Sequence, residues 1–582
     1  MKRKSWSAGI GGFLGQFRNG QSKMRNFEKK RTAGNGNAPA FVFLCVFFLS
    51  IFSVGCQTYT KRVFRAREAF YCNQLDAAVS TVQELREKPA NAKNSDVLKL
   101  EEAMMRMCRG EFQESERLLR EVRDSFDELE NRKMKKGAEA AASMLADDKV
   151  LSYPGEDYEK VMVRVMLAIN SLMKDGADAR AYAHQINQKQ EEIIAQSPED
   201  PETKEKIKKS YRNLSIGPFI SGILLDSDVT ARQEQIRDFT KVTQWSPDFI
   251  GGHELLDRAQ NGIHSEKGNG VVYVFAMVGH GPFKVEKNAE TTQAAMLCAD
   301  ILISATSKHT VTPTIASVPI PEVLTSPIRY RAAKITVNGA DPILTEKITD
   351  VNRMALDQFE ANKPWIMARA IARRAVKKAG LYGLKEVSGI SSPEGELLVD
   401  LAGILWEASE EADTRCWNLL PGSIQVARLE LPAGEHDLTL AASETAANRS
   451  LDELRNIARY DVGGVRVSLS TPLPPPAGPV PHHGPVPYHG AAGHSVNISF
   501  QEHPPHPPVS APYRRSLRPG DGAFSRDRGH HVHKVWKNLL QEKTESPNSC
   551  SLHLTVEDGR NTYVFVYFGD HGLIGRPYVN TP

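Results

Sequence analysis

Leu98–Val122 reads LKLEEAMMRMCRGEFQESERLLREV, and its apolar residues recur three and four positions apart on either side of Gly110. That spacing is the period of an α-helix, and the glycine interrupts it. The stretch is therefore two amphipathic helices joined at a turn, and its repetition along the chain decides the fold of the first half.

A second pair, VFRAREAFYCNQLDAAVSTVQEL, aligns 37 residues earlier, so that Leu75 matches Phe112 and Ala78 matches Ser115. A third, VMVRVMLAINSLMKDGADARAYAHQI, turns at Asp175-Gly176. The clearest unit resembles a tetratricopeptide repeat, with Ala103, Gly110, Phe112, Ser115 and Leu119 in its small, turn, aromatic, small and apolar places, Ser115 standing for the more usual Ala. Three irregular units suffice to share a stacked core; a generic α-hairpin bundle has the same periodicity and is the alternative. Before the third pair, Pro154-Gly155 makes a turn, and Glu156 and Asp157 place acids where a helix dipole favours them. Helical sequence continues through 217–228 and 231–249, ending at Ser246-Pro247. Residues 56–250 thus read as one tetratricopeptide-like helical domain.

After Asn261 the pattern changes. GNGVVYVFAMVGHGPFKVEK (268–287) is a buried strand running into a tight loop, and 327–339, 437–443 and 465–470 also read as strands. Residues 351–379 read as a helix pair whose second member, Trp365–Ala379, carries Ile366, Ala370, Ile371 and Ala375 on its apolar face. An α+β domain spanning 262–470 follows, completed by returning strands within 529–582, of which SLHLTVEDGRNTYVFVYFG reads as a hairpin turning at Asp558-Gly559. Between them, 471–528 is dominated by Pro and Gly. Nine of the seventeen histidines fall at His482, His483, His489, His494, His503, His506, His530, His531 and His533. Such composition favours an extended, flexible insertion over a packed core, and no repeated ligand spacing supports a metal site. The fold class expected is multidomain: N-terminal helical repeats followed by an α+β domain.

Residues 1–55 read as a basic leader and export signal. The charge-free run Ala40–Val54 is about 15 residues, short for a bilayer-spanning helix and matched to a signal-peptide core. Nine lysines and arginines precede it against the single acid Glu28, and either Met1 or Met24 serves as a start. Gly55-Cys56 resembles the bacterial lipoprotein cleavage motif, although Ser53 stands where that motif has Leu; Cys56 is then the lipid attachment residue. Gln57, with no Asp there, resembles lipoproteins sent to the outer membrane. An uncleaved anchor and plain secretion are the alternatives, and each places the bulk of the chain outside the cytoplasm.

The whole chain carries +3, but nine of its 73 basic residues and one of its 70 acidic ones precede Cys56, so the remainder stands near −5. The basic balance belongs to the leader and gives no support to nucleic-acid binding. Past Cys56 only Cys72, Cys108, Cys298, Cys416 and Cys550 remain, without a CxxC pair or a dense disulfide framework. GxxxxGK(S/T), HExxH and GxSxG are all missing, which lowers the odds of nucleotide hydrolysis, metalloprotease and serine-hydrolase chemistry. No cofactor is expected.

Two places concentrate polar chemistry. His280, in Gly279-His280-Gly281-Pro282, has small neighbours that would leave its ring accessible as a base, or it sits in a glycine-rich turn bonding backbone. The segment 407–422 holds Asp413 and Arg415, too close to face each other on a helix. In an irregular turn each would bond backbone or pair elsewhere, for instance with Arg369 or Arg373, while Trp417 and Leu420 anchor the turn in apolar packing.

Taken together, Cys56, Tyr153–Tyr158 (YPGEDY), Gly217–Phe219, the Gly279–Pro282 loop with Lys284, Met367–Arg374 (MARAIARR) and Ala412–Trp417 (ADTRCW) with Leu420-Pro421 resemble an uncharacterised family of bacterial envelope lipoproteins with tetratricopeptide-like helices. The resemblance implies an exported, lipid-anchored protein on the periplasmic face of the outer membrane and supplies no reaction. The expected function is a protein-interaction or scaffold module holding an envelope protein or peptide. His280, Lys284, Arg369, Arg373, Asp413, Arg415 and Trp417 are the candidate contacts. An envelope enzyme using His280 and Asp413–Arg415 is the alternative.

Overall fold

A computed structural model describes residues 59–136, 151–197, 211–226, 228–290, 317–388, 411–447 and 548–582, with a few single positions between them. Cys56 and the leader, the strand expected at 465–470 and the Pro/Gly/His-rich segment lie outside the described residues.

The three helix pairs form where the apolar period places them: α1 (Tyr59–Tyr71) with α2 (Leu75–Glu87), α3 (Ser95–Cys108) with α4 (Phe112–Lys136), and α5 (Asp157–Lys174) with α6 (Ala179–Ala195). Gly110 and Gly176 turn two of the pairs at φ +76° and +71°, a left-handed conformation that costs glycine nothing. Ala103 and Ser115 are buried at the contact between α3 and α4, where the Ser115 hydroxyl donates to the Ala103 carbonyl at 2.8 Å. α7 (Ile216–Leu224) and α8 (Arg232–Trp245) follow, and α8 stops just before Ser246-Pro247. A further helix, α9 (Ile250–Asn261), stands where no element was expected, capped by Gly262 in the left-handed region.

The second half is built from strands. β1 (Asn269–His280) is central in a five-stranded sheet ordered β11-β10-β1-β7-β6, with β6 at Glu346–Asp350, β7 at Pro421–Pro432, β10 at Asn561–Gly569 and β11 at Gly572–Asn580. β1 pairs in parallel with β10 (Val271 opposite Asn561) and antiparallel with β7 (Phe275 opposite Val426). A four-stranded sheet, β5-β4-β8-β9, comprises β4 (Ala332–Val337), β5 (Ile343–Leu344), β8 (Gly434–Ser443) and β9 (Ser549–Val556). β2 (Phe283–Ala289) and β3 (Val318–Leu324) form a separate antiparallel pair.

Side-chain alternation along β1 explains its unbroken apolar run. Tyr273, Phe275 and Met277 join the core shared with the helices, whereas Val272, Val274, Ala276 and Val278 join the core shared with the four-stranded sheet. β10 divides the same way, with Tyr563, Phe565 and Tyr567 toward the helices and Val564, Val566 and Phe568 toward the second sheet. The architecture is thus three layers: helices, five-stranded sheet, four-stranded sheet. Helices in the first half and sheets in the second make a mixed α/β protein, and the first two layers share one apolar core.

Two expectations are corrected. Asp558-Gly559 does turn the chain, but the strands on either side do not pair: β9 lies in one sheet and β10 in the other, so the turn crosses the sandwich. β10 has apolar residues on both faces, which suits it to a place inside the middle sheet rather than in a terminal hairpin. The helix pair expected at 351–379 is one helix, α10 (Val351–Ser388), that runs through Pro364. Proline inside a helix costs about 3 kcal/mol; here buried residues continue on both sides of it. Val351, Ala355 and Phe359 pack into the main core, and Met367, Ala368 and Ile371 pack with Val318 and Ile320 of β3.

The C-terminal strand docks onto the helical layer at Gly110. A Cβ at Gly110 would run into the Tyr578 ring, and one at Gly575 would run into the Cys108 carbonyl. Tyr578 packs edge-on against Phe112, with ring centroids 5.1 Å apart.

Candidate functional site

α5 begins after Pro154-Gly155 because Glu156 caps it, with Glu159 closing a reciprocal capping box. Its glutamate therefore lands inside the protein, where Glu159 is 0% exposed. Its Oε2 accepts from the Glu156 N–H at 2.9 Å and from the Tyr153 hydroxyl, and its Oε1 accepts from the Trp417 N–H at 2.6 Å and the Tyr158 hydroxyl at 3.3 Å. Burial raises its carboxyl above the ordinary value, against the opposing Lys284 charge.

Lys284, placed by β2 and buried, forms an ion pair with the partly exposed Glu156. Burial alone would lower its ammonium, but Glu156, Asp413 and Glu159 hold it above its ordinary value. Asp413 is held below the carboxylate range: burial opposes this, and Arg415 outweighs burial through bonds of 2.9 Å and 2.7 Å. Arg415 also donates to the Leu151 carbonyl at 3.0 Å, with its guanidinium 5.3 Å from the Tyr153 ring centroid. Beside it, Arg67 grips Glu101, which accepts from the Asn418 N–H at 3.3 Å, and burial pushes the Cys416 thiol up to about 12.

Lys284, Asp413, Arg415 and Trp417 therefore meet, in a buried knot that ties the 411–420 turn to α1, α3 and α5. Asp413 and Arg415 bond each other in their irregular turn, and among the described residues Asp413 has no bond to Arg369 or Arg373, which lie half-buried on α10. Sequence reading missed Glu101 and Glu159. The Glu156-x-x-Glu159 spacing was the available signal for the second.

His280 is elsewhere. Its ring is not the open one that its glycine neighbours suggest: it lies against Tyr71 with centroids 3.9 Å apart, and the side chain is only 20% exposed. Nδ1 is 3.4 Å from Asp570 Oδ2, while Nε2 is buried with no hydrogen-bond partner among the described residues. Burial lowers the imidazole's pKa, Asp570 opposes that and His571 adds to it. No hydroxyl or thiol among the described residues is hydrogen-bonded to the ring.

His280 borders a half-open cleft of about 690 Å³ where the α8–α9 connection meets the strand ends. Trp245, Pro247, Pro327 and Ile328 give it apolar surface; Arg212 and Arg331 give it charge. Asp413 and Arg415 are not part of its lining. No group of His, Cys, Asp and Glu among the described residues is arranged to hold a metal ion.

Comparison with family models, with curated proteins and with solved structures finds no match to this chain.

Proposed function

We propose that this protein is an exported lipoprotein, anchored through Cys56, that binds a partner or ligand at the bacterial envelope, with the cleft beside His280 as its binding site. The family resemblance and the short apolar run before Gly55-Cys56 support the anchor. The helix pairs, with Ala103 and Ser115 at the close contact and Gly110 at the turn, support the tetratricopeptide-like reading of the first layer.

The observation that carries the binding reading is the separation of the two polar sites. The charged knot is largely buried and internally bonded, whereas the cleft is open and no hydroxyl or thiol among the described residues is bonded to its histidine. The helical layer's apolar side is packed on β1 and β10, so its role is to frame the cleft-bearing sheet. An enzyme using His280 as a base is the second reading, and the His280–Asp570 pair favours it.

A pulldown of the membrane-anchored protein, compared with an Ile328→Asp variant, tests the assignment. Ile328 is 66% exposed on the cleft rim, so the variant should fold and lose partners. An unchanged partner set overturns the cleft as the docking site for a protein partner, and the small-molecule titration described below tests it for a ligand. Deleting the helical layer is a poorer test, because its residues complete the core of the sheet.

A further inference from the structure

We infer that the cleft takes a small organic anion, whose charged group meets Arg212 and Arg331 and whose apolar body lies on Trp245, Pro247, Pro327 and Ile328. This rests on the binding reading above and names the ligand's chemistry.

The groups left free to bond around the cleft point to the ligand. Arg212 and Arg331 are both exposed, and neither guanidinium has a hydrogen bond or ion pair among the described residues. The other charged groups of the lining are mostly engaged. Lys347 holds Asp350 at 2.6 Å, Arg353 holds Asp357 at 2.8 Å, Glu346 accepts from the Gly251 N–H at 3.0 Å, and Asp570 faces His280. Asp248 is the carboxylate left over. Arg212 and Arg331 are thus the two guanidiniums of the lining free to bond a ligand, and a planar guanidinium fork binds carboxylate or phosphate through two parallel bonds.

Size and surface point the same way. The volume lies within the roughly 300–1,000 Å³ of small-molecule sites, and such sites pair apolar walls with a few polar anchors. Two buried polar atoms of lining residues, the Tyr330 hydroxyl and Asn352 Oδ1, have no hydrogen-bond partner among the described residues. Carboxylate and phosphate share the recognising chemistry, and the probes separate them.

The test is calorimetric titration of the full chain in lipid nanodiscs, blanked against empty nanodiscs, with 2-naphthoate, 2-naphthyl phosphate and the neutral 2-naphthalenemethanol. Expected is single-site binding of at least one anion, about tenfold or more tighter than the neutral compound. The double variant Arg212→Gln/Arg331→Gln should lose that tenfold for the anion and leave the neutral compound unchanged, with its melting temperature retained because both side chains are exposed. Equal affinity for neutral and anionic probes, an unaffected double variant, or no binding by any probe overturns the anion assignment. The Ile328→Asp pulldown reports separately on whether the cleft docks a protein partner.

Discussion

The Trp417 backbone N–H donates to Glu159 Oε1 at 2.6 Å, joining the first turn of α5 to the turn before β7 across 258 residues of sequence. Glu159 has four donors directed at its two oxygens, two of them backbone N–H groups. Removing the carboxylate strands those donors, each at about 1–3 kcal/mol. Glu159→Ala should therefore destabilise by about 3 kcal/mol or more in urea denaturation. Glu159→Gln should cost roughly half as much, since one acceptor oxygen remains. If both variants unfold at the parent's midpoint, the knot does not hold the layers together.

This relationship marks the limit of what the sequence discloses. Helix pairs were legible because the 3.6 period and the glycine turns are local properties, and β1 and β10 because burial on both faces writes an apolar run. Their pairing was not legible, since nothing in VVYVFAMV names NTYVFVYFG as its neighbour. β9 and β10 read as a hairpin because the turn residues at Asp558-Gly559 suit one; only the two stacked sheets assign the flanks to different layers. Likewise, Pro364 marks a local break that burial on both sides of it overrides. Of the site, the residues of the 413–417 turn were visible as a dense polar cluster. Glu101 and Glu159 were not, because on an amphipathic helix an acidic residue ordinarily reads as solvated.

Asp157 gives the knot's border a pH dependence. Burial would raise its carboxyl, but Lys160, Lys208 and the Tyr211 hydroxyl hold it at about 2. A folded value below the unfolded one of about 3.9 means stability fully present above about pH 4 and lost as pH falls toward 2. The contribution is about 2 kcal/mol. Asp413, lowered by Arg415, acts with the same sign. Glu159, raised by burial, acts oppositely: its contribution is present at low pH and fades as pH rises through its folded value. Denaturation midpoints measured from pH 5 to pH 2 should fall less steeply for Asp157→Asn than for the parent. Parallel slopes would show that Asp157 is not perturbed.

Gly110 carries two constraints at once, a positive φ and the Tyr578 ring against its Cα. Alanine there pays about 1–2 kcal/mol for the left-handed backbone and also displaces the ring, so Gly110→Ala should destabilise by more than the backbone term alone. Tyr578→Ala leaves a cavity beside Phe112 but removes the clash. In a double-mutant cycle the two changes should cost less together than their sum. Strict additivity would separate the helix turn from the C-terminal strand and remove the docking contact.

The anchor is tested at Cys56. A single acyl chain binds a membrane only marginally, whereas the diacylglycerol that lipoprotein processing would add to the Cys56 thiol brings two, enough for stable attachment. Among the described residues no helix is long and apolar enough to cross a membrane. Cys56→Ser should abolish incorporation of labelled palmitate and move the protein out of the carbonate-washed membrane fraction, or leave it retained with its leader uncleaved. The two outcomes differ by the mass of the leader on a denaturing gel, and both follow from thiol alkylation preceding cleavage. Unchanged labelling with unchanged membrane retention would assign the anchor to another residue and take the lipoprotein reading with it.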